Sequence, residues 1–167
     1  SACLVGSEMC IRDRTGPAET VQAFSATTAL HRLEAEDFAT AGVRFASGAV
    51  GSIVATTATY PGGTESIVLD GTLATATLCG GRLDVVWRDG RSEQVDEPAT
   101  TGGGADPMAF PCDWHKALIA DFAMAIREQR APLVTGREAL KVHALIDAMT
   151  RSATAGAAVE VAPIATR

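Results

Sequence analysis

From Glu19 to Val95 the chain reads as one short extended run after another, and its two helical patterns come only afterwards. That order is the tightest constraint on its fold. Strands joined by two-residue turns pair antiparallel, because a parallel crossover needs a dozen or more residues. Phe38 to Ala46 meets Ser47-Gly48 and continues as Ala49 to Thr59. Gly80-Gly81 leads into Arg82 to Arg88, and Asp89-Gly90 into Arg91 to Val95. Such Gly-containing pairs supply the positive φ that tight hairpins require. Val21 to Thr27 precedes them, followed by a loop carrying Leu30 to Glu36. Tyr60-Pro61-Gly62-Gly63 breaks the run before Glu65 to Asp70 and Leu73 to Leu78, which are separated at Gly71. The expectation is an open, mostly antiparallel sheet built from sequence neighbours.

Alternation assigns the faces. Ala39, Ala41, Val43 and Phe45 fall on one side of their strand, and Phe38, Thr40, Gly42 and Arg44 on the other. Leu83, Val85 and Trp87 likewise share a side. The apolar face is ready to take helices. The opposite face, with Ser52, Thr56, Thr75 and Thr77, is mild and points to a subunit contact or binding surface.

The helices are marked by their ends. Asp113 is a good N-cap residue, and Leu118, Ile119, Phe122 and Ile126 form one apolar stripe. Arg130 ends this helix, Pro132 blocks continuation, and Leu133-Val134 can form a short extended piece. Thr135-Gly136-Arg137-Glu138 reads as a capping box. Leu145, Ile146 and Met149 give the second helix its inner face, Gly156 ends it, and Ala158 to Ala162 can add a closing strand. Sheet first and helices last, packed on one face, is α+β.

Composition removes several classes of function. The 167-residue chain carries a net charge of −6, with Lys116 and Lys141 its only lysines. No basic stripe is present, which argues against nucleic acid and anionic membrane partners. No apolar run approaches the ~18–20 residues that span a bilayer. Cys3 and Cys10 lie near the N-terminus, and Cys79 and Cys112 lack metal-type spacing, so free thiols in a reducing, cytoplasmic setting are expected. His31, His115 and His143 are scattered and suggest no metal site. No GxSxG, CxxC, HExxH or P-loop occurs. Gly102-Gly103-Gly104 is followed by Pro107 and Pro111 rather than directly by a helix, so Ala99 to Pro111 reads as a plain loop.

Residues 1–14 stand apart. Cys3-Leu4-Val5-Gly6-Ser7-Glu8-Met9-Cys10-Ile11-Arg12-Asp13-Arg14 has no sustained period and resembles a translated sequencing adapter. It also lacks the charged start and apolar run of a signal peptide. It is set aside as a non-native leader, and residues 15–167 are taken as the domain.

Within that domain, three features follow one another in a particular order. They are the hairpin Phe45-Ala46-Ser47-Gly48-Ala49-Val50-Gly51, the stretch Ile67-Val68-Leu69-Asp70-Gly71, and the turn Pro132-Leu133-Val134-Thr135-Gly136. With Trp114-His115-Lys116, Asp121-Phe122 and Val159-Glu160-Val161, this succession resembles the C-terminal domain of the Gfo/Idh/MocA family of NAD(P)-dependent oxidoreductases. The resemblance implies a parent that oxidises a sugar, polyol or cyclitol hydroxyl. In that family a Rossmann domain, a Glu-Lys-Pro motif with its working Lys and a Gly-Gly…Asp…His segment precede the sheet. The chain picks up after them, so the resemblance assigns no catalytic and no cofactor-binding residue here. NAD or NADP would belong to the missing N-terminal domain, and none is expected on this fragment.

Two positions are substrate-lining candidates. Tyr60 sits at the strand-to-loop break where such a sheet faces the sugar; its plainer role is to anchor the loop. His115 lies three residues before Leu118 on the first helix; its plainer role is packing. Trp87 and Trp114 read as core or interface. Asp37 matches a family position at a strand start, where capping or pairing with Arg44 or another arginine is the plain expectation. The overall expectation is a fragment inactive alone, homo-oligomeric through its open sheet face. One rival is a stand-alone, sheet-mediated dimerisation module. Others are an unrelated enzyme using Asp37 or His115 as acid or base, and a non-redox family member.

Overall fold

Antiparallel pairing links all the described strands of the computed structural model, which describes residues 15–31, 33–96 and 112–164. The expected leader, the loop 99–111 and the Trp114 side chain lie outside the described residues. The strands are β1 (Ala18–Ala26), β2 (Phe38–Phe45), β3 (Val50–Thr56), β4 (Ser66–Asp70), β5 (Ala74–Cys79), β6 (Arg82–Trp87), β7 (Ser92–Asp96) and β8 (Val159–Glu160). Among the described residues between β7 and β8 lie two helices, α1 (Asp113–Glu128) and α2 (Gly136–Ala155). The fold is α+β, as the element order predicts.

The strands divide between two four-stranded sheets rather than forming one, in the orders β3-β2-β1-β8 and β4-β5-β6-β7. The division falls at Tyr60-Pro61-Gly62-Gly63, where proline removes a ladder donor and glycine ends the extended run. The chain likewise separates into two compact units, residues 1–58 with 117–167, and residues 59–116.

In the first unit, the expected inward residues form the core. Val21 and Ala23 of β1 and Ala41, Val43 and Phe45 of β2 pack with Leu145, Ala148 and Met149 of α2. Alanine at Ala23, Ala41 and Ala148 removes bulk where helix and sheet meet. The deepest polar contact in this layer is a hydroxyl. Ser152 is fully buried; its Oγ accepts the Ala23 N–H at 2.9 Å and donates to the Ala157 carbonyl at 2.6 Å. That bond matters because β8 meets β1 only at Thr20 and Val21. The Ala23 amide, one step beyond, finds its acceptor on the helix instead.

The caps of α2 are Thr135 and Gly156, the residues the sequence suggests. Thr135 Oγ1 accepts the Glu138 N–H at 3.4 Å, while the Glu138 carboxylate takes Lys141 at 2.6 Å. Gly156 has φ of 64°, a left-handed conformation costly for any residue with a Cβ, and its N–H reaches the Ser152 carbonyl.

The end of α1 departs from expectation. The helix stops at Glu128, and Gln129 takes φ of 54°, a left-handed position filled without glycine. Leu133-Val134 forms a bend rather than an extended piece, because the Leu133 N–H is held by the Asp121 carboxylate at 2.7 Å. The stripe of Leu118, Ile119, Phe122 and Ile126 is exposed, with Phe122 at 56 %, and among the described side chains of α1 it is Ala125 that is buried. Helical spacing marks an apolar side; it does not supply the surface that covers it.

The second unit is a meander. Gly80 and Gly81 both have positive φ, 58° and 83°, the twist that a two-residue hairpin needs between β5 and β6. Asp84 takes Arg82 in a forked pair, and the Arg91 guanidinium lies 5.1 Å above the Trp87 ring. Among the described residues no helix is long and apolar enough to cross a membrane.

Replacing Ser152 with alanine leaves the buried Ala23 N–H without its acceptor, while the carbonyl of exposed Ala157 can turn to solvent. The expected loss is about 1–3 kcal/mol of unfolding free energy, read as a lower urea midpoint at unchanged slope. An unchanged midpoint would mean that the bridge contributes nothing.

Candidate functional site

Register builds the open face of the first sheet in rows. Thr20, Arg44 and Val50 form one row, Gln22, Gly42 and Ser52 the next, then Phe24, Thr40 and Val54, and last Phe38 with Thr56. Phe24 is 67 % exposed and Val54 65 %, on either side of Thr40. Thr40 Oγ1 is turned to its own sheet, donating to the Ile53 carbonyl at 3.2 Å. The face is therefore more apolar than a reading dominated by its Ser and Thr suggests. Phe24 was the available signal, alternating with the buried Val21-x-Ala23 positions of β1.

The two substrate-lining candidates fall in the second unit, residues 59–116. Tyr60 is 87 % exposed at the start of the break and precedes a cis bond to Pro61. His115 is exposed in the first turn of α1. Neither side chain has a hydrogen-bond partner or ion pair among the described residues. Cys79 and Cys112 are free and exposed. His143 is exposed on α2.

Asp37 is where the sequence reading and the structure part. Its carboxylate pairs not with Arg44 but with the loop before it. Oδ1 accepts the Thr28 N–H at 2.6 Å and Oδ2 the Thr28 hydroxyl at 2.7 Å, with His31 Nδ1 3.3 Å away. The reason is direction: Asp37 is buried at the strand start, whereas Arg44 lies seven residues on, an odd offset that puts it on the exposed face. The Thr28 hydroxyl and N–H, with His31, hold the Asp37 carboxyl below the usual carboxylate range against the opposing effect of burial. The sequence signal was the Thr27-Thr28 pair, whose short donors suit a nearby carboxylate.

A second organised carboxylate sits at the turn between the helices. Asp121 accepts the Leu133 N–H at 2.7 Å and Arg130 Nη2 at 2.8 Å, and the Leu133 amide followed by Arg130 lowers its carboxyl from the ordinary value. Arg130 also reaches Glu128 at 2.8 Å. This cluster fixes a turn; no polar group in it is left pointing at an empty space.

A surface cleft of about 740 Å³ is lined by Glu19, Thr20, Lys141, Glu160, Pro163 and Ile164, among others. Its one ammonium is already held by Glu138. Among the described residues no group of three or more His, Cys, Asp or Glu could hold a metal ion. Dinucleotide recognition places a pyrophosphate on a Gly-rich turn between a parallel strand and a helix. The described strands are paired antiparallel, so these sheets do not fit that cradle.

Neutralising Asp121 tests the turn. A carboxyl held low in the folded chain contributes stability above its unfolded value and loses it as pH falls through the folded one. Asp121→Asn is therefore expected to lower the urea midpoint at neutral pH, with the gap to the unaltered chain closing on acidification. A gap that is constant with pH would show that charge plays no part.

Comparison with known proteins follows this geometry. Residues 13–161 match the model of an oxidoreductase family's C-terminal alpha/beta domain. No curated protein sequence matches the chain. Among solved structures, the WlbA dehydrogenase of Bordetella pertussis, in complex with NADH and UDP-GlcNAcA, is 29 % identical with a TM-score of 0.71. The match covers 95 % of this chain and 43 % of that one. An oxidoreductase of Agrobacterium radiobacter, in complex with NAD+, L-tartaric acid and magnesium, is 24 % identical (TM-score 0.72; 92 % and 46 % covered). A levoglucosan dehydrogenase, in complex with NADH and L-sorbose, is 21 % identical (TM-score 0.76; 96 % and 49 % covered). These last two speak for the fold alone. The chain spans about half the length of each of these structures or less.

Proposed function

The chain belongs to the Gfo/Idh/MocA oxidoreductase family as its C-terminal alpha/beta domain, and from that we propose that it is the substrate-side half of an NAD(P)-dependent dehydrogenase. The substrate is a sugar, polyol or cyclitol whose hydroxyl the parent oxidises. The observation that carries this reading is the family match over residues 13–161, joined to coverage of only 43 % of the WlbA chain. WlbA was solved with a nucleotide sugar and NADH, which supports a sugar-like substrate here.

Hydride transfer needs a dinucleotide platform and a nearby acid or base for the hydroxyl proton. The antiparallel sheets favour placing NAD or NADP on an N-terminal domain of the parent, with this chain inert alone. Tyr60 and His115 are the residues we assign to the substrate wall. Their exposure suits groups that a second domain or a ligand would cover, and neither is assigned a proton transfer. A reducing cytoplasmic location fits Cys79 and Cys112, which are free. The open face of the first sheet is the surface we assign to homo-oligomer formation, on the exposure of Phe24 and Val54.

A second reading, a sheet-mediated interaction module without catalysis, is favoured by that same open face. Sequencing the native locus upstream of the Thr15 codon separates the two. The dehydrogenase reading expects an open frame continuing into a strand, a Gly-rich turn, a helix and a Glu-Lys-Pro motif. A stop codon followed by a start near Ser1 would overturn it. In parallel, NADH fluorescence is expected to stay unchanged on adding this chain and to respond to the product of the longer frame.

The oligomer has its own test. Phe24→Asp combined with Val54→Asp is expected to shift sedimentation to the monomer while leaving the circular dichroism spectrum intact. Retention of the larger species would assign the contact to another surface.

A further inference from the structure

Asp37 is the one buried charged residue among those described, at 3 % exposure, and the proposed dehydrogenase chemistry makes no use of it. Its polar groups reach three parts of the first unit. The main-chain N–H donates to the Ala26 carbonyl at the end of β1, at 3.1 Å. The main-chain carbonyl accepts the Thr57 N–H at 2.9 Å and the Thr56 hydroxyl at 3.0 Å, at the end of β3. The carboxylate turns the other way, into the β1–β2 connection, where Thr28 and His31 meet it.

Among the described residues, that connection, residues 27–31 and 33–36, has few other polar contacts: the Leu30 N–H reaches Thr28 Oγ1 at 3.4 Å. Thr27 Oγ1 donates to the Ala35 carbonyl at 2.9 Å, while Leu30 and Leu33 are exposed at 70 % and 53 %. A segment that buries so little apolar surface gains little from the hydrophobic effect to offset the entropy of ordering it. Charge-assisted bonds to a carboxylate are about twice as strong as neutral ones. The dependence runs both ways, since the connection cannot leave without stranding a buried charge.

We infer that Asp37 is a latch whose carboxylate holds the β1–β2 connection closed, and that neutralising it frees the connection while the sheet stays paired. The neighbours on the other elements, Ala26, Thr56 and Thr57, carry no charge. His31 is the titratable group in contact with the carboxylate. Glu34 and Glu36 share the segment and are exposed, and Arg32 lies outside the described residues. Protonation of Asp37 favours the open form. Because Thr28 and His31 hold the Asp37 carboxyl below the usual range, the latch stays shut at neutral pH and opens in acid. This device is independent of the dehydrogenase reading.

The test uses the full chain, with amide exchange followed residue by residue in NMR and chymotrypsin cleavage at Leu30 and Leu33 followed in time. Asp37→Asn is expected to speed exchange of the Thr28 amide and cleavage by about tenfold or more, with the β1 and β2 ladder amides unchanged. Thr28→Val, which keeps the shape but removes the hydroxyl donor, is expected to give an intermediate increase. Acidification is expected to speed Thr28 exchange, beyond its intrinsic pH dependence, in the unaltered chain and not in Asp37→Asn. Unchanged cleavage in Asp37→Asn would overturn the latch. So would loss of the ladder amides in Asp37→Asn together with unchanged cleavage in Thr28→Val, which would make Asp37 a residue of the sheet alone.

Discussion

The first unit depends on one buried hydroxyl. A two-residue final strand covers only the beginning of the β1 edge, and the helix that packs on the sheet has no backbone donor or acceptor to lend beyond its ends. Ser152 solves both problems at once. It gives the Ala23 amide an acceptor and returns its proton to the carbonyl of Ala157, just past the helix cap. Sheet, helix and closing segment are thereby set in register by a side chain with no exposed surface. Alanines around it let the helix come near enough for the bond to form. A hydroxyl in this place is costly unless both its bonds are made, so the geometry of the layer and the identity of the residue require each other.

The same logic recurs where chain segments meet. Asp37 collects donors from the β1–β2 connection, and Asp121 collects an amide and a guanidinium at the turn between the helices. In each case a carboxylate, not an apolar plug, decides where irregular backbone runs. The open face of the first sheet and the stripe on α1 are the reverse: apolar surface that the described residues leave uncovered. A domain that shares its surfaces with a second domain or a second copy has this character.

Much of this was readable beforehand, for local reasons. Two-residue turns at Ser47-Gly48, Gly80-Gly81 and Asp89-Gly90 fixed antiparallel neighbours, and alternation fixed Ala41, Val43 and Phe45 as the inward set. Thr135 and Gly156 announced the ends of α2 because capping is chemistry within a few residues. What escaped the sequence was long-range. Spacing cannot say that Leu118 and Phe122 face solvent, since the covering surface is not part of the helix. It cannot join Ser152 to Ala23, or turn Asp37 away from Arg44, because those choices depend on where the backbone points after folding. The division into two sheets was half visible, as a break at Pro61 without its consequence. The site candidates Tyr60 and His115 rest on resemblance, for their exposure alone carries no chemistry.

The shortness of β8 has a consequence at the sheet edge. It pairs with β1 only at Thr20 and Val21, and the one further amide capped by Ser152 is Ala23. Among the described residues, no strand lies against the rest of that edge, up to Ala26. An edge of this kind, carrying an exposed Phe24, is a template for strand addition by another chain. The folded chain thus offers a second chain main-chain donors and acceptors to pair with, without any prior unfolding.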